Sequence, residues 1–364
     1  MSRSTLVLTF LAGLVMIVAA VGTRRVLTLA LALIGLLGAM LLPLTPVGGR
    51  LEPAAVGIAL AIAALGVVVV DGWGGQLFLA PLATTGLAAY ATAWFAGDQG
   101  QPLVIAVTYA LALALILGAL VGAVCAVQRR GEVVAVVSLG VAAVLDAAVF
   151  RSHAIGGTRR LTPAVSQPLR MGGYQVEAGV VLYYGLLLLL VVCVLAVLVL
   201  RESRFATLLR AAAAGENPAE VRGIDVTATR FAAYLIAAVL GALAGCALAL
   251  YSGRVGPESF SVARSLLLVG LVLLLGRGRV VAALAAGAAA GALPEVMARY
   301  RPLAGYRPAH LDLAVGALLL ATVVGGELLG GPRARALLER QPLRRSGDRS
   351  RRPAPPRPRW APRR

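Results

Sequence analysis

Long apolar runs broken by short polar stretches repeat along most of the chain. They fall at 5–22, 26–44, 53–70, 76–96, 103–128, 132–150, 178–200, 230–251, 263–276, 279–298 and 311–330. A membrane-crossing helix needs about 20 mostly apolar residues, so each run is a candidate span. The run at 263–276 is short and the stretch 71–78 is glycine-rich, so the pattern predicts about 10–11 transmembrane helices in an all-α, polytopic integral membrane protein. The first run has only Arg3 as a basic flank and a second run begins at once. It reads as a membrane helix rather than a cleaved leader.

The polar stretches organise the rest. Residues 152–177, with Gly156, Gly157, Pro163 and Pro168, read as an external loop. Residues 201–229 form the longest internal loop. From Pro332 onward the chain holds twelve Arg and seven Pro. Such a tail cannot bury enough surface to offset its ordering entropy and is expected to be disordered, where its arginines would meet anionic lipid headgroups. The expected divisions are 1–52 (N-terminal helices), 53–331 (a membrane core with the loop at 201–229) and 332–364 (a cytoplasmic tail).

Composition narrows the class. Hydrophobic residues are 59 % and charged residues 14 % of the 364, against roughly 45–50 % and 25 % in soluble domains. That excludes a soluble globule, a disordered chain and a nucleic-acid-binding domain. The net charge is +18 and every basic residue is Arg. The tail supplies twelve Arg against Glu339 and Asp348, so the high charge belongs largely to it. Arg24, Arg25, Arg129, Arg130, the 201–230 loop, Arg277, Arg279 and the tail share one side, although Arg159, Arg160 and Arg170 fall on the other. The positive-inside tendency makes the richer side cytoplasmic in a cell membrane, with the N-terminus outside and the C-terminus inside.

Little in the sequence suggests an enzyme. Cys125, Cys193 and Cys246 each lie in an apolar run without a shared spacing and read as small buried hydrophobes. His153 and His310 lack metal-ligand spacing, so no metal site is expected. Without Lys no Walker A motif can exist, so any ATP hydrolysis would have to come from another chain and no cofactor is expected on this one. Asp146, inside an apolar run, is a functional candidate by default; it reaches Arg151 or faces a wet cavity. Glu295, Asp312 and Glu327 lie near span ends and read as hydrated. Irregular backbone at membrane depth is tolerated only where it is buried or lines a cavity. The break Asp71-Gly72-Trp73-Gly74-Gly75 is therefore either a tight turn or part of a translocation path, with Gly74, Gly75, Gln76 and Asp146 as path candidates. Gly241 and Gly245 make a face for close helix packing, within the chain or against another membrane chain.

The internal loop holds the most specific local pattern. Asn217 suits an N-cap, Pro218 the first helical position, Glu220 the third and Gly223 the C′ position. The resulting helix is little more than one turn and is too short to be stable alone. It must pack on the membrane domain or on a partner protein.

From Ser203 to Phe260 the chain resembles the permease subunits of ABC importers for branched-chain amino acids and related compounds. The resemblance is carried by Arg204 and Arg210, Glu220, Gly223-Ile224-Asp225-Val226, Leu243-Ala244-Gly245, and Gly253, Pro257 and Phe260. Upstream it is carried by Gly72 through Leu77 with Gly86-Leu87-Ala88-Ala89-Tyr90, by Arg129-Arg130-Gly131 before Ser138-Leu139, and by Gly156-Gly157, so that it covers about 55–330. Departures fall at Phe78, Ala80 and Pro81, at Gly276-Arg277-Gly278-Arg279, and at Ala213 and Ala214. The resemblance implies a type II-like ABC importer permease, paired with a second permease, two cytoplasmic ATPases and an extracytoplasmic solute-binding protein. It implies transport of a small polar solute such as a branched-chain amino acid, amide or urea. Arg210, Glu216, Asn217, Pro218, Glu220, Gly223, Ile224 and Asp225 would then form a coupling helix in contact with the ATPase. Two competing classes are a stand-alone ion-coupled carrier using Asp146 and a membrane-embedded transferase around His153.

Overall fold

Proline and glycine punctuate the apolar runs and decide where the helices begin and end. The computed structural model describes residues 51–128, 131–152, 178–221, 223–276 and 278–299, with short strands at 159–160, 169–171 and 174–176. The runs at 5–22, 26–44 and 311–330, the tail, Arg129, Arg130, His153, Gly156, Gly157, Arg277, His310, Asp312 and Glu327 lie outside the described residues.

In chain order the helices are α1 (Glu52–Val67), α2 (Pro81–Thr92), α3 (Leu103–Val127), α4 (Gly131–Leu145), α5 (Ala178–Glu202), α6 (Arg204–Ala214), α7 (Glu216–Val221), α8 (Val226–Ser252), α9 (Val262–Gly276) and α10 (Val280–Arg299). Three of them continue into π-helical turns, α1 over Val68–Trp73, α2 over Ala93–Asp98 and α4 over Asp146–Phe150. Among the described residues six helices are long and apolar enough to cross a membrane. The protein is an all-α polytopic membrane protein. The strands are minor: β1 (Arg159–Arg160) pairs antiparallel with β4 (Arg254–Val255), and β2 (Leu169–Met171) with β3 (Tyr174–Val176).

One expected span differs. The run at 76–96 is not helical throughout. Residues 75–80 carry no helix, and α2 starts at Pro81. Proline lacks the N–H a helix interior needs and pushes the residue before it away from helical geometry, so it opens a helix rather than continuing one.

The helices run alternately between two ends of a bundle. Trp73, Leu209, Gln128 and Gly278 meet at one end, called the loop end here because α6 and α7 lie there. Tyr90, Phe150, Val255 and Phe260 cluster at the far end. Helices α1 and α8 form the centre, with 78 % and 67 % of their apolar windows buried, against 22 % for α4. Glycines let the central helices approach closely. A Cβ on Gly245 would overlap the Thr85 carbonyl of α2, and one on Gly287 would overlap the α1 backbone at Ala61. Gly241 likewise faces Thr84, so the small face of α8 is used inside this chain. Outward faces remain apolar: Val104, Val136 and Val199 are at least 70 % exposed, as lipid-facing or partner-facing positions are.

Candidate translocation and coupling site

The chain between α1 and α2 is the irregular element around which the site is built. Gly74, Gly75 and Gln76 donate their N–H groups back to Val69, Asp71 and Val70. Gly75, at φ +66°, closes this turn in the left-handed region that glycine adopts freely. Beyond Gln76 the backbone enters the bundle interior. There the Leu79 N–H donates to Ser138 Oγ of α4 at 3.1 Å, and the Ser265 hydroxyl of α9 donates to the Leu79 carbonyl at 2.9 Å. The Leu82 N–H also donates to Ser265 Oγ at 3.4 Å. Two buried serines from different helices thus satisfy backbone groups that lie outside any helical ladder. This is the condition for non-helical chain at membrane depth.

A cavity adjoins this segment, lined by Phe78, Thr84, Val121, Val141, Tyr234 and Ala238 among others. The Phe78 and Tyr234 rings meet edge to face at 5.6 Å. On the loop-end side of that pair the interior turns polar. Asp71, Gln76 and Arg230 are all buried, the Gln76 amide donates to the Cys125 carbonyl at 3.2 Å, and the Arg230 guanidinium to that of Gln128 at 3.5 Å. Tyr234 lies within electrostatic range of Cys125, Arg230 and Asp71.

The four path candidates do not form one site. Gln76 faces the interior, but Gly74 and Gly75 lie at the loop end, where a Cβ would meet Leu209 and Ala213 of α6. Asp146 sits near the far end, where Arg151 Nε donates to its Oδ1 at 3.2 Å. The three cysteines are buried and free, and Thr92 donates its hydroxyl to the Cys246 sulfur.

Of the coupling-helix residues, Arg210 lies on α6. Its guanidinium sits 5.5 Å from the Trp73 ring centroid and donates to the Arg201 carbonyl. Trp73 is buried and its indole N–H donates to the Gly278 carbonyl at 3.3 Å. Helix α7 contains Glu216, Asn217, Pro218 and Glu220. Asn217 is not the N-cap: the Ala219 N–H bonds to the Gly215 carbonyl, because Gly215 breaks the chain after α6 and the helix begins at Glu216. Pro218 remains in the first turn, where its missing N–H leaves no bond unmade. Gly223 closes the helix at φ +78°, with N–H groups of Gly223 and Ile224 donating to Glu220 and Ala219. That is the paired bonding of a glycine-terminated helix. Asp225 caps the next helix, its carboxylate accepting from the Ala228 N–H at 2.9 Å. A small apolar contact of Ala212, Ala219 and Val226 with Ile224 attaches α7.

Sequence reasoning passed over Trp73 as a joint, Ser265 as a backbone partner and Val221, which is 89 % exposed. Only the proline-bounded break hinted at Ser265, since such a break needs external hydrogen-bond partners somewhere in the fold.

These features define a polytopic membrane permease with a discontinuous inner segment and a docked surface loop. Residues 50–323 match the family model for the permease component of branched-chain amino acid transport systems. The chain belongs to that family. Neither the curated proteins nor the solved structures contain a match.

Proposed function

We propose that the chain is the transmembrane subunit of an ABC importer, moving a small polar solute of the branched-chain amino acid, amide or urea type. ATP and Mg bind cytoplasmic ATPase subunits, and this chain binds no cofactor of its own. A second permease subunit and an extracytoplasmic binding protein complete the assembly. On this reading the loop end faces the cytoplasm, and α7 enters a groove of the ATPase.

The observation that carries the reading is the geometry of α7. It is six residues long, is anchored by Ala219, and leaves Pro218, Glu220 and Val221 exposed beside α6. A helix this short gains nothing by itself, and an exposed valine at its tip suits a docking contact. Family membership supports the same assignment. Helix α6 in turn packs on the Gly74-Gly75 turn and Trp73, so a push on α7 has a contiguous route to α1 and to the inner segment.

The test is purification in mild detergent, with mass spectrometry of the co-purifying chains, for the wild type, Glu220→Arg and Val221→Asp. An ATPase subunit accompanying the wild type and depleted at least tenfold in both variants supports the reading. A wild-type chain that comes alone, while a control complex survives the same detergent, overturns it.

A further inference from the structure

We propose that the outward face of α3 is a lipid boundary of this protein, anchored at the far end by Trp94, Phe95 and Tyr109. Any second permease then pairs on another face.

Helix α3 sorts its side chains by size. Ala106, Ala110, Ala114 and Gly118 recur every four residues, fall on one side and are buried. They let α3 lie close to the centre. Ala110 and Ala114 pack with Ala242 and Cys246 of α8, and a Cβ on Gly118 would overlap Ala238. The opposite stripe holds Ile105, Tyr109, Leu113, Ile116, Leu120 and Val124, each at least 40 % exposed. Helices packed inside a membrane meet through small residues. On α3 that close-packing stripe is already used by the chain's own centre, and the outward stripe is bulky, as suits acyl chains.

Charge along this face complements a bilayer. No Asp, Glu, Arg or His lies between Leu103 and Val127, whereas Asp98 precedes the helix and Arg129-Arg130 follow it in the sequence. The exposed Thr108 hydroxyl donates to the Val104 carbonyl of its own helix at 2.8 Å, so it needs no outside partner. From Tyr109 to Val127 the helix rises about 27 Å at about 1.5 Å per residue. The hydrocarbon layer of a bilayer is about 30 Å thick.

The far end of the stripe is aromatic. Trp94 and Phe95 lie on the π-helical end of α2. The Phe95 ring packs 5.3 Å from that of Trp94 and 4.9 Å from that of Tyr109 on α3. Trp94 and Tyr109 are both more than 40 % exposed. Trp and Tyr concentrate where a bilayer meets water, because an apolar ring carries a polar tip. Side chains on a helix tilt toward its N-terminus, so the Tyr109 ring reaches toward the far end, where the headgroups begin. The inference rests on the chain crossing a membrane and not on an ATPase, so it and the importer reading fail separately.

The experiment is photo-crosslinking in intact cells, where the full chain keeps whatever partners it has. The photoreactive residue p-benzoylphenylalanine replaces Leu113, Ile116 or Leu120 in turn, or Val104, which lies beyond Tyr109 toward the far end. Protein adducts are read by gel shift and acyl-chain adducts by mass spectrometry of the chain. Acyl adducts without protein adducts are expected at Leu113, Ile116 and Leu120, with at least fivefold less acyl adduct at Val104. A protein adduct at any of the three inner positions overturns the proposal, because another chain then covers α3. So does the lack of either adduct at all three, which means water on this face. An acyl yield at Val104 equal to that at Ile116 overturns the aromatic anchor. The same group at Val221 reports on the ATPase contact independently. Where a variant fails to reach the membrane, the decision passes by the same criteria to Ala112 or Ala123, which are exposed on the same helix.

Discussion

At the scale of single residues, the inner segment depends on hydroxyls that cannot be exchanged for methyls. Ser265→Ala leaves the Leu79 carbonyl and the Leu82 N–H without the partner seen here. Each buried group left unmade costs about 1–3 kcal/mol. Ser265→Ala should therefore lower the thermal midpoint in detergent, with Ser265→Thr recovering part of the loss. Glycines give a paired contrast. Gly245→Ala drives a methyl into the Thr85 carbonyl, whereas nothing lies within 4 Å of a Cβ on Gly140. The first should cost about 1–3 kcal/mol by overpacking. The second should be neutral, or favourable by up to about 1 kcal/mol through helix propensity. Fluorescence-detected size exclusion after a heating series separates the two outcomes.

At the scale of elements, the loop is a chain of local terminations. Asp225→Ala removes the α8 cap and should cost about 0.5–2 kcal/mol, seen as faster hydrogen exchange over the first turn of α8 with little change at its centre. Asp225→Ser should restore protection. Much of this element structure is legible from sequence. Seven of the eight apolar runs between 53 and 298 coincide with a helix, and the eighth, 76–96, is helical only from Pro81, because membrane spans announce themselves by length and hydropathy without tertiary help. Gly223 ends α7 where its spacing predicts. Asn217 misleads because a capping pattern is judged against its own neighbours, while Gly215, two residues earlier, ends α6 and resets the start. The site is less legible. Gly74 and Gly75 look like a path lining by composition, yet they meet α6 at the loop end. Phe78 and Ala83 line the cavity and look like ordinary apolar positions. Which side of a central helix faces space rather than protein is decided by the segments packed around it, and no local pattern encodes it.

For the whole molecule, the pairing of Asp146 with Arg151 bears on the carrier alternative. Arg151 is 60 % exposed, and such a pair is worth no more than about 1 kcal/mol. Asp146→Asn should leave fold and uptake within about twofold of wild type, measured in proteoliposomes holding the full assembly and a panel of labelled leucine, valine and urea. Loss of uptake in that variant, with the assembly intact, would move the transport chemistry to Asp146. The α1–α10 and α2–α8 contacts leave no room for a side chain at Gly287 or Gly245. Helices α4 and α5 keep the most exposed faces of the described spans, whereas α3 is held against the centre, a Cβ on its Gly118 overlapping Ala238 of α8.

The π-helical end of α4 has a consequence for how this chain tolerates length changes. A π turn holds one more residue than the α-helix it interrupts, and each residue turns the helix by roughly 100°. Deleting Ala147 would let Asp146–Phe150 relax to ordinary winding. Because the π turn absorbs that residue within a single turn, Phe150 would stay close to its present heading toward Tyr90. The π turn is in this sense a local store of one residue of length, and giving it up would leave the ring facing where it does now.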